Sequence, residues 1–344
     1  MRSSALDSTP AETERQRTSW KGRVATILSI VISGGLLVVL YRSLHISLVT
    51  DALLHADKTW LLVSVGMIIP ITVLRAVRFY WVAPAGSLPG TGEALRLTLV
   101  ASALNVFLPA KAGDLIKSYF VATRSDTPAG VALSIVVYER LCDMFGLIAW
   151  CLVGWVVGRP QIAGINAAFW LMLAVLGTVC FVLISSERAA TWVEAAAKWA
   201  LVHHRLKKLS NLSGGWLGLL KAIRGRRRFI VSYSLVLWLA HLFQIWLFSV
   251  ALSVSIPFTV SASLSAVALM AGQIPLTFAG LGARDVALVV LLARYMTPEM
   301  AAAMGLLIST RGLLPPLLGL PVMRPYLSST IDDARTWRRR MDAI

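Results

Sequence analysis

The sequence predicts an all-α polytopic membrane protein with about six full spans, two re-entrant broken-helix hairpins and an inverted repeat. Three observations lead there. Of 344 residues, 57% are hydrophobic, and the mean hydropathy is +0.72. The apolar segments are long and continuous, which excludes the alternating pattern of an outer-membrane barrel. Second, the formal net charge of +16 is gathered at 2–23, 188–228 and 324–340. Beside apolar spans such clusters mark cytoplasmic loops and anionic lipid headgroups, and no nucleic-acid partner is expected. Third, two apolar segments are interrupted by matching polar runs, 105–114 and 273–285. Each holds an amide, then Pro, then Gly, with a basic residue shortly before an Asp that opens a new apolar helix.

Residues 1–22 form a polar N-terminus. The apolar run 24–41 has no small-residue cleavage site and reads as the first span rather than a removed signal. A polar loop, 42–58, leads to the second span, 60–81. Pro70 should kink it, and Arg75 and Arg78 share one face at i, i+3. Those arginines either snorkel to the interface or face the interior. A turn-rich loop, 86–92, precedes the broken segment 97–121. Pro109 removes a backbone donor and Gly113 lowers helix propensity. Broken backbone at membrane depth survives only inside protein or beside a wet cavity, so Lys111 and Asp114 should face inward.

The next span, 129–157, carries Glu139, Arg140 and Asp143. Three ionisable groups on one span are costly unless they meet a substrate or pair; a self-contained pair on Arg140 is the alternative. Span 162–184 is conventional. The basic stretch 188–228 contains Trp192, Trp199 and Trp216, and reads as an amphipathic surface helix or a solvated loop. Span 229–252 holds His241 and Gln244, the histidine best read as a structural hydrogen-bond partner. The second broken segment, 260–295, holds Gln273, Pro275, Gly280, Gly282, Arg284 and Asp285. The last span, 301–323, contains Arg311, and a basic, partly disordered tail follows from 324 to 344. The transmembrane domain thus covers 23–323, in halves 23–187 and 229–323 joined by the cytoplasmic loop 188–228.

Topology supplies a check. All three basic clusters belong on the cytoplasmic side, together with both termini. Five apolar segments separate the first two clusters, an odd number. The conflict disappears if 97–121 enters and leaves on the cytoplasmic side. The same reasoning after Arg228 makes 260–295 re-entrant from the outer side. Two hairpins pointing at each other from opposite faces are what an inverted repeat produces.

Asp114 and Asp285 each stand at a helix start, where a carboxylate caps free N–H groups. Half-helix N-termini near the midplane carry partial positive charge. With Asn105, Gln273, Lys111, Arg284, Arg140, Arg75 and Arg78, the result is a positive site in an apolar body, suited to phosphate. Alternatively, the two aspartates only cap and pair with nearby bases. Cys142, Cys151 and Cys180 are odd in number and read as buried thiols. The run 113–118 lacks the glycine spacing of a P-loop, and no metal or other cofactor is expected.

The runs NVFLPAKAGD, YERLCDMFGL and GQIPLTFAGLGARD resemble, in this order, the signature segments of the lysylphosphatidylglycerol synthase transmembrane-region family. That family resembles the flippase part of multiple peptide resistance factor. The resemblance covers roughly residues 24–323. It implies a bacterial or archaeal inner-membrane protein that moves, or helps to move, a lipid or lipid-linked molecule. Carried over by position, Asn105, Pro109, Lys111, Gly113, Asp114, Glu139, Arg140, Asp143, Pro275, Gly280, Gly282, Arg284 and Asp285 match. The full-length synthase adds an aminoacyltransferase domain; this chain stops at Ile344, so lipid aminoacylation is not expected. The leading expectation is therefore a non-enzymatic translocator of an anionic or phosphate-bearing lipid. The alternatives are a membrane enzyme acting on a lipid-linked substrate and an accessory partner of a lipid-modifying enzyme.

Overall fold

Pro70 sets the first feature. The structure, a computed structural model, describes residues 31–40, 42, 44–160, 167–203, 214–273 and 282–342, and every regular element among them is helical. Helix α1 is Val31–Leu40; the rest of the expected first span lies outside the described residues. Helix α2, Ile46–Leu54, stands where a loop was expected. It buries Val49 in one apolar cluster with Met296 and Met304, so tertiary packing stabilises a helix too short to be read from sequence. The second span is two helices, α3 (Lys58–Gly66) and α4 (Ile68–Val82). Pro70 has no N–H for the Gly66 carbonyl and crowds it, so the helix resets at Met67. Asp57 starts α3 by accepting from Thr59 N (2.8 Å) and Trp60 N (3.2 Å).

Helix α5 (Thr91–Phe107) ends at Leu108; a 3-10 turn, Pro109–Asp114, separates it from α6 (Leu115–Arg124). Two long apolar helices follow, α7 (Ala129–Gly158) and α8 (Ala167–Ser185). α8 exposes Leu171, Val175 and Val179, the pattern of a lipid-facing surface. The basic stretch is not an open loop. Helices α9 (Glu187–His203) and α10 (Gly215–Ala222) occupy it, while 204–213 lie outside the described residues. Glu187 accepts from Arg224 Nε and Arg227 Nη2, both at 2.8 Å. Those hydrogen bonds, Arg224's first, hold its carboxyl down at about 2.

Helix α11 (Arg227–Ala251) leads to α12 (Phe258–Ala271), α13 (Ala283–Leu292) and α14 (Pro298–Asp342). α14 runs through most of the tail that the sequence suggested was partly disordered; it extends a helix already formed from Pro298, so no new nucleus is needed there. Among the described residues, five stretches are long and apolar enough to cross a membrane: Lys58–Val82, Ala129–Gly158, Ala167–Ser185, Arg224–Ala251 and Pro298–Tyr326.

Packing pairs the two halves reciprocally. α5 lies chiefly against α14, and α12 chiefly against α7. The second arm of each pair packs on the long helix that follows it, α6 on α7 and α13 on α14. Helix ends gather at two edges. At one, Glu93 at the start of α5 accepts from Tyr326 Oη (2.8 Å) and from Arg124 at the end of α6 (3.2 Å). There too Arg226 donates to the Ala83 carbonyl and Arg227 to the Ser185 carbonyl, both at 2.6 Å. At the other, Asp57 N donates to the Ala251 carbonyl (2.8 Å) and Trp246 Nε1 to the Ile256 carbonyl just before α12 (2.9 Å). Met296, beyond α13, packs there with Val254 and Ile256.

Candidate functional site

Four elements of the first half bring seven charges to one small cavity: α4 supplies Arg75 and Arg78, the 3-10 turn Asp114, α6 Lys117, and α7 Glu139, Arg140 and Asp143. Thr98 of α5 completes the lining. Gly113 makes the approach possible. A Cβ there would sit 2.6 Å from the Ala101 carbonyl and 2.7 Å from Asn105 N, so only glycine lets the turn fold back on α5. Its contribution is close approach rather than low helix propensity.

Six of the charges form a closed ring of alternating sign. Lys117 Nζ lies 2.6 Å from Glu139 Oε2 and 3.7 Å from Asp114 Oδ1. Arg78 reaches Asp143 at 2.6 Å and Glu139 at 3.7 Å. Arg140 closes the ring, contacting Asp114 directly and Asp143 at 3.9 Å. Each carboxylate thus serves two cations. Arg78, Lys117, Asp114 and Glu139 are all buried, where a charge is tolerable only with partners of this kind. The sequence alternatives for Arg140 and for Arg75 and Arg78 are decided here. Arg140 is no self-contained pair within α7, and Arg78 faces the interior rather than snorkelling. Asp114 makes no capping hydrogen bond at the start of α6; its oxygens go to Arg140, Lys117 and Asn105 Nδ2 (3.3 Å).

Arg75 is the seventh charge. It lines the cavity but has no hydrogen bond and no carboxylate within 4 Å among the described residues. Four cations against three carboxylates leave one positive charge in excess. The ring is also not fully satisfied. Arg78 Nε and Asn105 Oδ1 are buried without a hydrogen-bond partner among the described residues. Buried polar atoms are seldom left so. The free space is on the order of one water, so the cavity is closed around its own charges.

The second broken segment builds a separate cluster. Gly282 takes φ +87°, a left-handed conformation that favours glycine, and its N–H donates to Asp285 Oδ2 (3.1 Å). Asp285 therefore does cap, as expected. Its Oδ1 accepts from Arg284 (2.7 Å), which also donates to Ser309 Oγ (2.7 Å) on α14. Gln273 is the last described residue after α12, two positions beyond the helix end at Ala271. Pro275 and Gly280 fall outside the described residues, and Lys111 is placed in the 3-10 turn by its backbone alone. The ring and the Arg284–Asp285 pair share no hydrogen bond or ion pair among the described residues.

Sequence reasoning missed Lys117, Trp238 and Arg311 as members of the site. Lys117 had a signal, an intramembrane lysine at i+3 from Asp114. Trp238 Nε1 donates to Asp143 (3.1 Å), and its ring lies 5.1 Å from that of His241. Arg311 Nη1 meets His241 Nδ1 at 3.2 Å and Gln244 Oε1 at 2.9 Å. Nothing in the local sequence ties an indole on one helix to a carboxylate 95 positions earlier.

Helical spans, two interrupted segments and a buried ion ring define a polytopic membrane protein with a charged interior site. Residues 26–319 match the family described as lysylphosphatidylglycerol synthase TM region, and the chain belongs to that family. It is also similar to a UPF0104 membrane protein of Methanothermobacter thermautotrophicus, 21% identical over 310 residues, which cover 82% of this chain and 88% of that protein.

Proposed function

We propose that the protein is a flippase-like translocator of an anionic, phosphate-bearing lipid or lipid-linked molecule. The observation that carries this reading is Arg75, an inward-facing cation beside a charge-balanced ring with no carboxylate of its own. Uncompensated charge at membrane depth is costly, and an anionic headgroup supplies the compensation while acyl chains stay in lipid. The ring lets charges exchange partners without leaving any bare, a property useful to a site that opens and closes. The reciprocal packing of α5 on α14 and α12 on α7 supports two re-entrant hairpins in an inverted repeat; six spans and both termini cytoplasmic complete the reading, from the placement of the basic clusters. In this reading Asn105, Asp114, Glu139, Arg140 and Asp143 act at the first half-site, and Gln273, Arg284 and Asp285 at the second.

Leaflet exchange of fluorescent phosphatidylglycerol in proteoliposomes tests the reading, with the parent compared with Asp114→Asn and Arg284→Gln. Loss of exchange in both folded variants is the expected result. Exchange absent from the parent for every phosphate-bearing lipid tried, or lipid of altered mass in the vesicles, would overturn it; the latter indicates an enzyme.

A further inference from the structure

The buried carboxylates of the two clusters are all committed. Asp114, Glu139 and Asp143 belong to the ring, and Asp285 to Arg284. Two cations of the membrane interior remain without a carboxylate within 4 Å among the described residues, Arg75 on α4 and Arg311 on α14. They belong to different halves of the chain, yet a chain of contacts links them: Arg311 meets His241 at 3.2 Å, the His241 ring lies 5.1 Å from that of Trp238, and Trp238 donates to Asp143 (3.1 Å), which lines the same cavity as Arg75. His241 lies on α11, beside Arg311. Its Nδ1 faces Arg311 Nη1, which, as a donor only, favours a neutral imidazole there. Gln244 Oε1 takes a second hydrogen bond from the same nitrogen. Among the described residues, Arg311 Nε and Nη2 have no hydrogen-bond partner, and neither has any nitrogen of Arg75. α11 joins the two arms through neutral groups, Trp238 on Asp143 of the ring and His241 on Arg311.

We propose that Arg75 and Arg311 form a two-armed clamp that holds one phosphate group between the halves of the chain. Planar guanidinium forks match the paired oxygens of phosphate, and two forks from opposite sides take more of them than one. The clamp also couples loading to closure. Without an anion, two like charges in a low-dielectric interior resist the approach of the halves. With a phosphate between them, the same charges draw the halves together. An empty protein then closes less readily than a loaded one. The clamp rests on the translocator reading for its purpose, but it is a claim about binding and is tested as such.

The experiment measures binding of fluorescent phosphatidylglycerol to the detergent-purified full chain. Parent, Arg75→Gln, Arg311→Gln and the double variant are compared, with Arg75→Lys and Arg311→Lys as charge-keeping controls. Each glutamine variant should weaken binding on the order of tenfold, as for loss of a charge-assisted contact. The double variant should lose less than the product of the single effects, because both arms hold one anion. Each lysine variant should fall between parent and glutamine, and it carries the test if the glutamine variant fails to fold. Displacement by unlabelled phosphatidylglycerol but not by inorganic phosphate assigns the anion to a lipid. Displacement by both alike assigns it to free phosphate, and the clamp stands in either case. Displacement by diacylglycerol as strong as by phosphatidylglycerol, binding by Arg311→Gln equal to the parent, or strictly multiplicative single effects would overturn it. Leaflet exchange on the same proteins separates the two claims. Exchange that persists with no arginine effect removes the clamp alone, whereas intact clamp binding without exchange removes translocation alone.

Discussion

Replacing Glu139 with Gln opens the ion ring on its buried side. Lys117 loses its 2.6 Å partner and keeps only Asp114 at 3.7 Å, while Arg78 keeps Asp143 at 2.6 Å. Lys117 is 4% exposed, so solvent cannot replace the lost carboxylate. Removing one partner of a buried pair costs about 3–5 kcal/mol. Asp114 still faces Lys117, which argues for the lower end, about 3 kcal/mol. At roughly 2–4 °C per kcal/mol, the midpoint of thermal unfolding in detergent should fall by about 6–12 °C. Intrinsic tryptophan fluorescence reads this, with Trp238 touching the ring at Asp143. The second arm of the experiment adds Lys117→Met. That change removes the stranded cation, and a neutral pair of similar volume should recover most of the loss. A single variant that unfolds within about 1 °C of the parent would refute the ring as a stabilising unit. So would a double variant whose loss equals the sum of the two single losses.

Three further outcomes follow from local geometry. Gly113→Ala brings a methyl group within 2.7 Å of backbone on α5, so the turn cannot keep its place; both the unfolding midpoint and leaflet exchange should fall. Asp57→Ala removes the cap from α3 and should cost about 0.5–2 kcal/mol, measured by thermal unfolding, with leaflet exchange unchanged. Glu187 has a carboxyl held at about 2, against the usual 4.5, by Arg224 and Arg227. Its folded value is depressed, so its contribution is complete above about 4.5 and disappears as pH falls towards 2. The gap in unfolding midpoint between parent and Glu187→Gln should accordingly be constant near neutral pH and close over that acid window. A gap that stays open in acid would show that the arginines act on Glu187 through packing alone.

Much of the architecture was written in composition and spacing. Continuous apolar runs require helices in lipid, because backbone groups there have no other partners. The polar interruptions 105–114 and 273–285 therefore had to lie inside the protein, and both stand at interrupted elements. The identities of Asn105, Asp114, Glu139, Arg140, Asp143, Arg284 and Asp285 as interior charges and amides were legible for the same reason. What the chain could not show is which charge meets which. Arg140 has Asp143 one turn away, and a one-dimensional reading pairs them; in space Asp114 is nearer, because Gly113 lets the turn fold against α5. Arg78 crosses 65 positions to Asp143 and Arg311 crosses 67 to Gln244. Helix α2 also escaped notice, since packing stabilises it more than any local apolar period, and so did the continuation of α14 beyond Tyr326. Burial is a property of single residues and can be read from them. Partnership between buried charges depends on helix placement, so only the tertiary structure reveals that one ring balances itself and leaves Arg75 and Arg311 over.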